Sequence, residues 1–379
     1  MKYLSIKNGV CNSMKKQELI EKLYIIIWAF YTIEFVLLSS SSLSQYSFAG
    51  RLHGIFSMLT LVMMILFTLF VNRYPRRKIL SAIAYMVLIF CIAISTKGIN
   101  ILIGMLFSFT AQKIDVKKLI KFDIKLKLIL LFIVVVLCGL GIIENKVGYA
   151  NNVYKQSLGF INQNVFTAFS SVILIEWLYE YCGQVKRFQY IIILILVAIV
   201  SNISKGRTSL YTFIFIFVLH YIANFKAQFF YTYISKFSFA VVTPVLAFLS
   251  FLGCNLYMQE NAFVIGINRI MSNRLHYASY ALSKYGVKLI GFKIEEQGLP
   301  VDMGYVYCVI RFGLIYLVII CLIYSVQFIK FLNHKRIDIA LLMLFFVLVS
   351  MGEGYTYNIV YNTAMLYFFH TNKRIRHIS

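Results

Sequence analysis

The chain has 379 residues, of which 60% are hydrophobic and only 13% are charged. Soluble globular proteins carry about 45–50% apolar and about 25% charged residues, so this composition excludes a soluble enzyme or a disordered protein and indicates a polytopic membrane protein. The net charge of +23 would suggest nucleic-acid binding in a soluble chain. In a membrane protein we attribute it to basic cytoplasmic loops and an anionic lipid or substrate, with no nucleic acid.

Apolar runs along the chain predict about twelve transmembrane helices in a single integral membrane domain, residues 1–379. Lys and Arg cluster in alternate connections, which by the positive-inside rule places both termini in the cytoplasm. The predicted spans are residues 23–43, 52–71, 79–96, 98–112, 126–143, 160–181, 190–204, 208–223, 234–256, 304–329, 337–351 and 355–370.

Four polar patches lie at predicted outer ends of these spans, where buried or interfacial polar groups are candidates for function. In chain order they are "LGFINQN" (158–164) with Asn162 and Asn164, "SNISKGRTSLYTF" (201–213) with Lys205 and Arg207, the long connection 255–303, and "MGEGYTYN" (351–358) with Glu353 and Tyr355. A helix start beside an arginine can bind an anion, although an interfacial charge anchor explains the second patch equally well.

The connection 255–303 is predicted to be one long extracytoplasmic loop that contains one or two amphipathic helices. Ile270, Leu275, Ala278 and Leu282 recur at helical spacing and can share a face. The loop also carries a group of candidate site residues, which are Arg269, Arg274, His276 and Tyr277. Arginine binds phosphate through two donors at once, and histidine can accept a proton near neutral pH. Arg274 and His276 are two residues apart, so they cannot share one face of a regular helix.

These patches, in this order, resemble the Wzy-type polymerases of the O-antigen ligase/polymerase superfamily, which assemble bacterial surface polysaccharides. The similar segments are "LGFINQN", "SKGRTS", and "NRLHYASYALSKYGVKLIGF" followed by "VDMGYVYCVIRFGL". The last two match a family pattern with an arginine, a spaced "YG…(I/F)G", a "DN.Y" stretch and "(R/K)xG". The chain departs from it at Met303, where relatives often have Asn, and at "INQN", where they often read "HPN".

The resemblance implies a GT-C-like, metal-independent glycosyltransferase that joins oligosaccharide repeat units carried on undecaprenyl diphosphate. It implies the outer face of a bacterial cytoplasmic membrane, surrounding membrane lipid, and a chain-length regulator and a flippase as pathway partners. Arg207, Arg269 and Arg274 would stabilise the departing diphosphate, and His276 or Glu353 would deprotonate the acceptor hydroxyl.

Sugar contacts would come from the remaining candidates of the binding site, Lys205, Asn162, Asn164, Tyr277, Asp302, Tyr305 and Tyr355. No DxD, HExxH or P-loop pattern occurs, so we expect no metal and no cofactor. Two alternatives remain open: an O-antigen-type ligase, and a flippase for the same lipid-linked oligosaccharide that would not be an enzyme.

Overall fold

The computed structural model describes residues 2–71, 87–96, 98–150, 153–293 and 301–370. Within these ranges the protein is almost entirely helical. The helices are α1 (Lys2–Phe35), α2 (Ser47–Val71), α3 (Val87–Thr96), α4 (Ile99–Ala111), α5 (Val116–Gly139), α6 (Gln163–Glu180), α7 (Arg187–Ser204), α8 (Thr208–Lys226), α9 (Tyr233–Met258), α10 (Ala262–Ile270), α11 (Arg274–Tyr285), α12 (Gly304–Phe312), α13 (Leu314–Asn333) and α14 (Ile337–Val349). A β-hairpin of β1 (Val147–Ala150) and β2 (Val153–Gln156) pairs Val147 with Gln156.

Six helices of the described residues are long and apolar enough to cross a membrane, which confirms an all-α membrane protein in that general form. Their outer faces expose large apolar side chains such as Leu66, Ile195 and Phe248. Exposed apolar surface of this kind is stable against lipid tails but not against water. The count of twelve spans stays a prediction.

The interior of the bundle is built around two short helices, α4 and α14. Every residue from Ile101 to Ala111 is buried, and α14 is buried on nearly all sides. A helix that is apolar all round belongs in the core of a large protein or bundle. With 13 residues each, both helices are shorter than the about 17 residues of a usual minimal span. The helix α4 packs against α2, and α14 packs against α6 and α8.

The predicted last span, residues 355–370, does not form an α-helix. It consists of two short 3-10 helices, Gly354–Tyr357 and Thr363–Tyr367, joined by irregular backbone. The second of these packs against α4, α5 and α14. Irregular backbone in a membrane protein is tolerated where protein rather than lipid surrounds it, and residues 359–368 are almost completely buried.

The predicted span 304–329 is also corrected, because the structure divides it into α12 and α13. Gly313 lies between them with a positive φ of 95°, which a side chain would disfavour. Its amide N–H still donates to the carbonyls of Cys308 and Val309 at the end of α12. The break gives α13 its own starting direction and leaves Arg311 in the last turn of α12.

Lys127, which the charge pattern counts with the cytoplasmic positive charges at the start of the predicted span 126–143, is fully buried. Its Nζ lies 2.6 Å from a carboxylate oxygen of Asp123 and 2.6 Å from one of Glu176. Trp28 donates to Asp123 at 2.7 Å, and Thr363 donates to Glu176 at 2.9 Å. A buried charge needs a partner of opposite charge that is itself hydrogen-bonded. Asp123 and Glu176 are the partners of Lys127, and the cluster connects α1, α5, α6 and the 3-10 helix that contains Thr363.

Two helices, α10 and α11, occupy the long connection, as its helical spacing predicts. They are separated by a turn in which Ser272 and Asn273 have positive φ angles. Leu275 and Ala278 face the interior, but Ile270 ends α10 and is exposed, so the four spaced apolar residues do not form one face. The side of the membrane on which these helices lie stays a prediction.

Candidate functional site

Arg274 joins three of the four polar patches. It lies in the first turn of α11 and is 8% exposed. Its Nη1 donates to Thr208 Oγ1 at 2.8 Å and to the carbonyl oxygen of Gly352, and its Nη2 donates to Glu353 Oε1 at 2.8 Å. Asp302 Oδ2 lies 3.8 Å from its Nε. We call these five residues the arginine site.

Gly352 allows the arginine site to close. A Cβ at this position would lie 2.7 Å from Arg274 Nη1 and 2.8 Å from Thr208 Cγ2. Real Cβ atoms essentially never approach other heavy atoms this closely, so any side chain at 352 would displace the guanidinium. The "GEG" sequence therefore provides both an acceptor carbonyl and the space in which Arg274 lies.

Burial controls the charge state of Glu353. The residue is 6% exposed, and this burial raises the pKa of its carboxyl from 4.5 to about 7, although the Arg274 guanidinium opposes the shift. The nearby Asp302 raises the pKa of Glu353 further, and burial also raises the pKa of Asp302. A carboxyl that titrates near neutral pH is suited to accept and return a proton.

The turn between α7 and α8 brings a second arginine to the edge of the arginine site. Gly206 packs against α6 so closely that a Cβ there would lie 2.2 Å from Thr167 Oγ1. Lys205 has a left-handed backbone, and Arg207 directly precedes α8 with its side chain exposed. Ser209, in the first turn of α8, lies 2.7 Å from the Tyr355 hydroxyl. The turn is thus held on both sides while Arg207 points outward.

The "LGFINQN" patch forms the start of α6 next to this turn. Asn162 caps the helix by accepting from the Val165 N–H at 2.9 Å, and its side chain is exposed, as is that of Asn164. Thr167 in the first turns of α6 donates to Ser204 at 2.7 Å. The patch is therefore a polar helix start that reaches the turn at Gly206, with no contact to Arg274 among the described hydrogen bonds.

Four further candidate residues lie apart from the arginine site. Arg269 is exposed on α10, and His276 is exposed on α11 with its Nδ1 3.3 Å from the Tyr257 hydroxyl. Tyr277 packs its ring against that of His276. Tyr305 is buried in the bundle, where its hydroxyl donates to the carbonyl of Val347 at 2.8 Å. This places Tyr305 in the core rather than at a surface that a sugar could reach.

A cavity of about 260 Å³ lies beside the arginine site. Gly354 and Tyr355 line it, so the segment that supplies Glu353 to Arg274 also forms a wall of the cavity. Most of the remaining lining is aromatic or amide-bearing, and we call it the tyrosine cavity. Its lining includes Tyr307, Tyr357, Asn100, Asn358 and Arg311.

Arg311 was not among the candidate site residues, although the sequence held a signal for it. It is the arginine of the "RFG" stretch that matches the "(R/K)xG" pattern. Its guanidinium carbon lies 6.0 Å from the centre of the Tyr307 ring. Asn358 is the last residue of the "MGEGYTYN" patch. Asn100 had no such signal, because it lies far from the motifs and reaches the cavity only through the fold.

Comparison with other proteins gives no relative for this chain. No family model, no curated protein and no solved structure matches it.

Proposed function

We propose that this protein is a glycosyltransferase that polymerises oligosaccharide repeat units carried on undecaprenyl diphosphate. The observation that supports the proposal most is the arginine site, where a buried Arg274 pairs with a Glu353 that titrates near neutral pH. The next residue, Gly354, lines the tyrosine cavity. A metal-independent glycosyl transfer needs a proton acceptor beside a sugar site and a cation for the departing diphosphate. The resemblance of the sequence patches to the Wzy-type polymerases supports the same reaction class.

In this proposal Glu353 is the general base. The hydroxyl oxygen of the acceptor sugar attacks the anomeric carbon of the donor, the bond from that carbon to the diphosphate oxygen breaks, and the hydroxyl proton passes to Glu353. The lipid diphosphate leaves with the bonding electrons. We choose Glu353 over His276 as the base because His276 is exposed and its Nδ1 lies 3.3 Å from the Tyr257 hydroxyl, apart from the arginine site.

The arginines take different roles in the proposal. The donors of Arg274 already contact Thr208, Gly352 and Glu353, so we assign it to holding Glu353 in place rather than to binding the diphosphate. Arg207 is exposed immediately before α8, where the spare N–H groups of a helix start favour an anion. We assign the departing diphosphate to Arg207.

The proposal places the protein in the bacterial cytoplasmic membrane with both termini inside and the site on the outer face. Its partners would be the lipid-linked repeat units, the flippase that delivers them and a chain-length regulator. Reporter fusions after Lys125 should then give a cytoplasmic signal and fusions at Lys155 an external one. The opposite pair of signals would place the arginine site on the wrong face for this reaction.

The direct test uses purified protein in liposomes with defined undecaprenyl-diphosphate repeat units. The wild type and the Lys226→Gln control, which removes an exposed charge at the far end of α8, should form a ladder of products. Glu353→Gln should form none. Transfer of single units only to another lipid acceptor would support a ligase, and movement of units across the bilayer without a new glycosidic bond would support a flippase.

A further inference from the structure

The short helix α10 carries an apolar face that points away from the rest of the protein. Phe263 is 77% exposed and Ile270 is 73% exposed. Residues seven positions apart lie on the same face of a helix, so these two side chains form one stripe. Between them lies Gly266, where a Cβ would meet no heavy atom within 4 Å. The described residues therefore leave this face uncovered.

The opposite face of α10 is fixed to the protein. Val264 and Asn268 are buried there. The Asn268 side chain donates to Asn273 Oδ1 at 3.2 Å and accepts from the backbone N–H of His276 at 3.2 Å. These two bonds join α10 to the first turn of α11, where Arg274 lies.

The next helix, α11, has an exposed face of the opposite character. Its exposed residues are His276, Tyr280, Ser283 and Lys284, all of which carry a polar group. An exposed apolar patch marks a surface that a partner or a membrane covers. Since α10 and α11 belong to the same connection, the contrast assigns water to the exposed face of α11 and an apolar environment to that of α10.

The position of α10 along the chain identifies this environment as lipid. The preceding helix, α9, has 26 residues and is one of the candidate membrane spans. At 1.5 Å per residue it is about 39 Å long, which exceeds the hydrocarbon core of about 30 Å. Its end at Met258 therefore reaches the level of the headgroups, and α10 begins directly after residues 259–261. The apolar face of α10 thus starts where the lipid-facing surface of α9 ends.

Arg269 lies beside the apolar face in the last turn of α10. It is exposed, and no carboxylate of the described residues forms an ion pair with it. Helices that lie in a membrane surface carry basic side chains next to their apolar face, because the guanidinium reaches headgroup phosphates while the helix stays in the acyl boundary.

We propose that α10 is an interfacial helix that lies in the lipid surface of the membrane, with Phe263 and Ile270 among the acyl chains and Arg269 at the headgroup phosphates. Because Asn268 ties α10 to the start of α11, this anchor holds Arg274 and the arginine site at the level of the membrane surface. The inference goes beyond the proposed function and does not depend on it, because it concerns contact with lipid only.

The test measures the surroundings of an indole group placed on α10. Phe263→Trp and Ile270→Trp are made as separate variants and reconstituted in liposomes of phosphatidylcholine and phosphatidylglycerol. The wild-type spectrum is subtracted to remove the signal of the two native tryptophans. We expect both added indoles to emit at the short wavelengths of an apolar environment and to lose intensity when the acyl chains are brominated. Ser283→Trp on the exposed face of α11 is the matched control, and it should emit as in water without this loss.

The contact of Arg269 with headgroups is tested with two brominated lipids at equal mole fraction. In Phe263→Trp, brominated phosphatidylglycerol should quench more strongly than brominated phosphatidylcholine, because one basic residue near the surface enriches an anionic lipid by up to about fivefold. Adding Arg269→Gln should remove this difference. Adding Lys226→Gln, at the far end of α8, should leave it unchanged.

Emission as in water from both α10 variants, without quenching by brominated lipid, would overturn the inference. Emission at short wavelengths without quenching would also overturn it, because a second copy of the protein would then cover the face. Equal quenching of Ser283→Trp and the α10 variants would refute the contrast between the two helices, and an unchanged lipid difference in Arg269→Gln would refute the headgroup contact. No lipid-linked substrate is present, so the outcome is separate from that of the polymerisation assay.

Discussion

Removing Arg274 should destabilise the protein through the carboxyl group that it leaves behind. In Arg274→Met, Glu353 remains 6% exposed without its 2.8 Å partner, and the Gly352 carbonyl and Thr208 hydroxyl lose their donor. Breaking a buried ion pair by removing one member costs about 3–5 kcal/mol. The exposed Arg269, five residues earlier, provides the matched control, and Arg269→Met should change the free energy of unfolding by less than about 0.5 kcal/mol.

The pH dependence of this loss of stability shows whether Arg274 and Glu353 form the ion pair. Burial raises the pKa of Glu353 to about 7, so its carboxyl is mostly ionised at pH 8.5 and mostly neutral at pH 5.5. A double-mutant cycle of Arg274→Met and Glu353→Gln should give a coupling energy of about 2 kcal/mol at pH 8.5 and less than about 1 kcal/mol at pH 5.5, because hydrogen bonds to charged groups are the stronger ones. The measurement is reversible unfolding in SDS mixed micelles. Coupling below about 0.5 kcal/mol at both pH values would refute the pairing.

Glu353 alone also makes the stability depend on pH. Between pH 4.5 and about 7 the folded state binds more protons at this carboxyl than the unfolded state does, so stability falls as the pH rises through this window. A shift of this size corresponds to about 3 kcal/mol. Glu353→Gln should remove that part of the pH dependence.

Three further predictions concern activity and the buried cluster. Arg207→Ala should lower the polymerisation rate by about 10²–10³-fold while the protein stays in the membrane. Full activity in Arg207→Lys would show that the site needs only a positive charge at this position and not the fork of an arginine. His276→Gln should keep the wild-type rate, whereas Glu353→Gln should lower the rate at least about 10²-fold. The wild-type rate should fall as the pH drops through about 7. An inactive His276→Gln together with an active Glu353→Gln would make the histidine the base. Lys127→Met should cost about 3–5 kcal/mol in the same SDS titration, because it leaves two buried carboxylates unpaired; a loss below about 1 kcal/mol would contradict the pairing.

Helical spacing alone is enough to separate Arg274 from His276. Side chains two residues apart lie on different faces of a helix, and in α11 the arginine is indeed buried while the histidine is exposed. The same spacing predicted that Ile270 shares a face with Leu275, and this was wrong because the turn at Ser272 and Asn273 separates α10 from α11. Residue spacing therefore predicts which side chains share a face within one helix, but it does not do so for residues on opposite sides of a turn.

Lys127 and residues 355–370 show why charge and hydropathy do not fix depth or span. A lysine at the edge of a basic run is expected in water, but Asp123 and Glu176 surround this one with opposite charge inside the bundle. Residues 355–370 are apolar enough for a span, yet they contain two 3-10 helices with irregular backbone between them, and the second helix packs against α4, α5 and α14. In both cases the deciding partners lie far away in sequence.

The sequence by itself determined that this is a helical membrane protein, because the balance of apolar and charged residues decides whether a chain is stable in lipid or in water. It also marked the polar patches, since polar groups at the ends of apolar runs are costly and few. Only the tertiary structure decided that Arg274 meets Thr208, Gly352 and Glu353, and that Arg311 faces a cavity. Those contacts join residues 66 to 79 positions apart, and they form because buried hydrogen-bonding groups need partners that only the packing of separate helices can bring within reach.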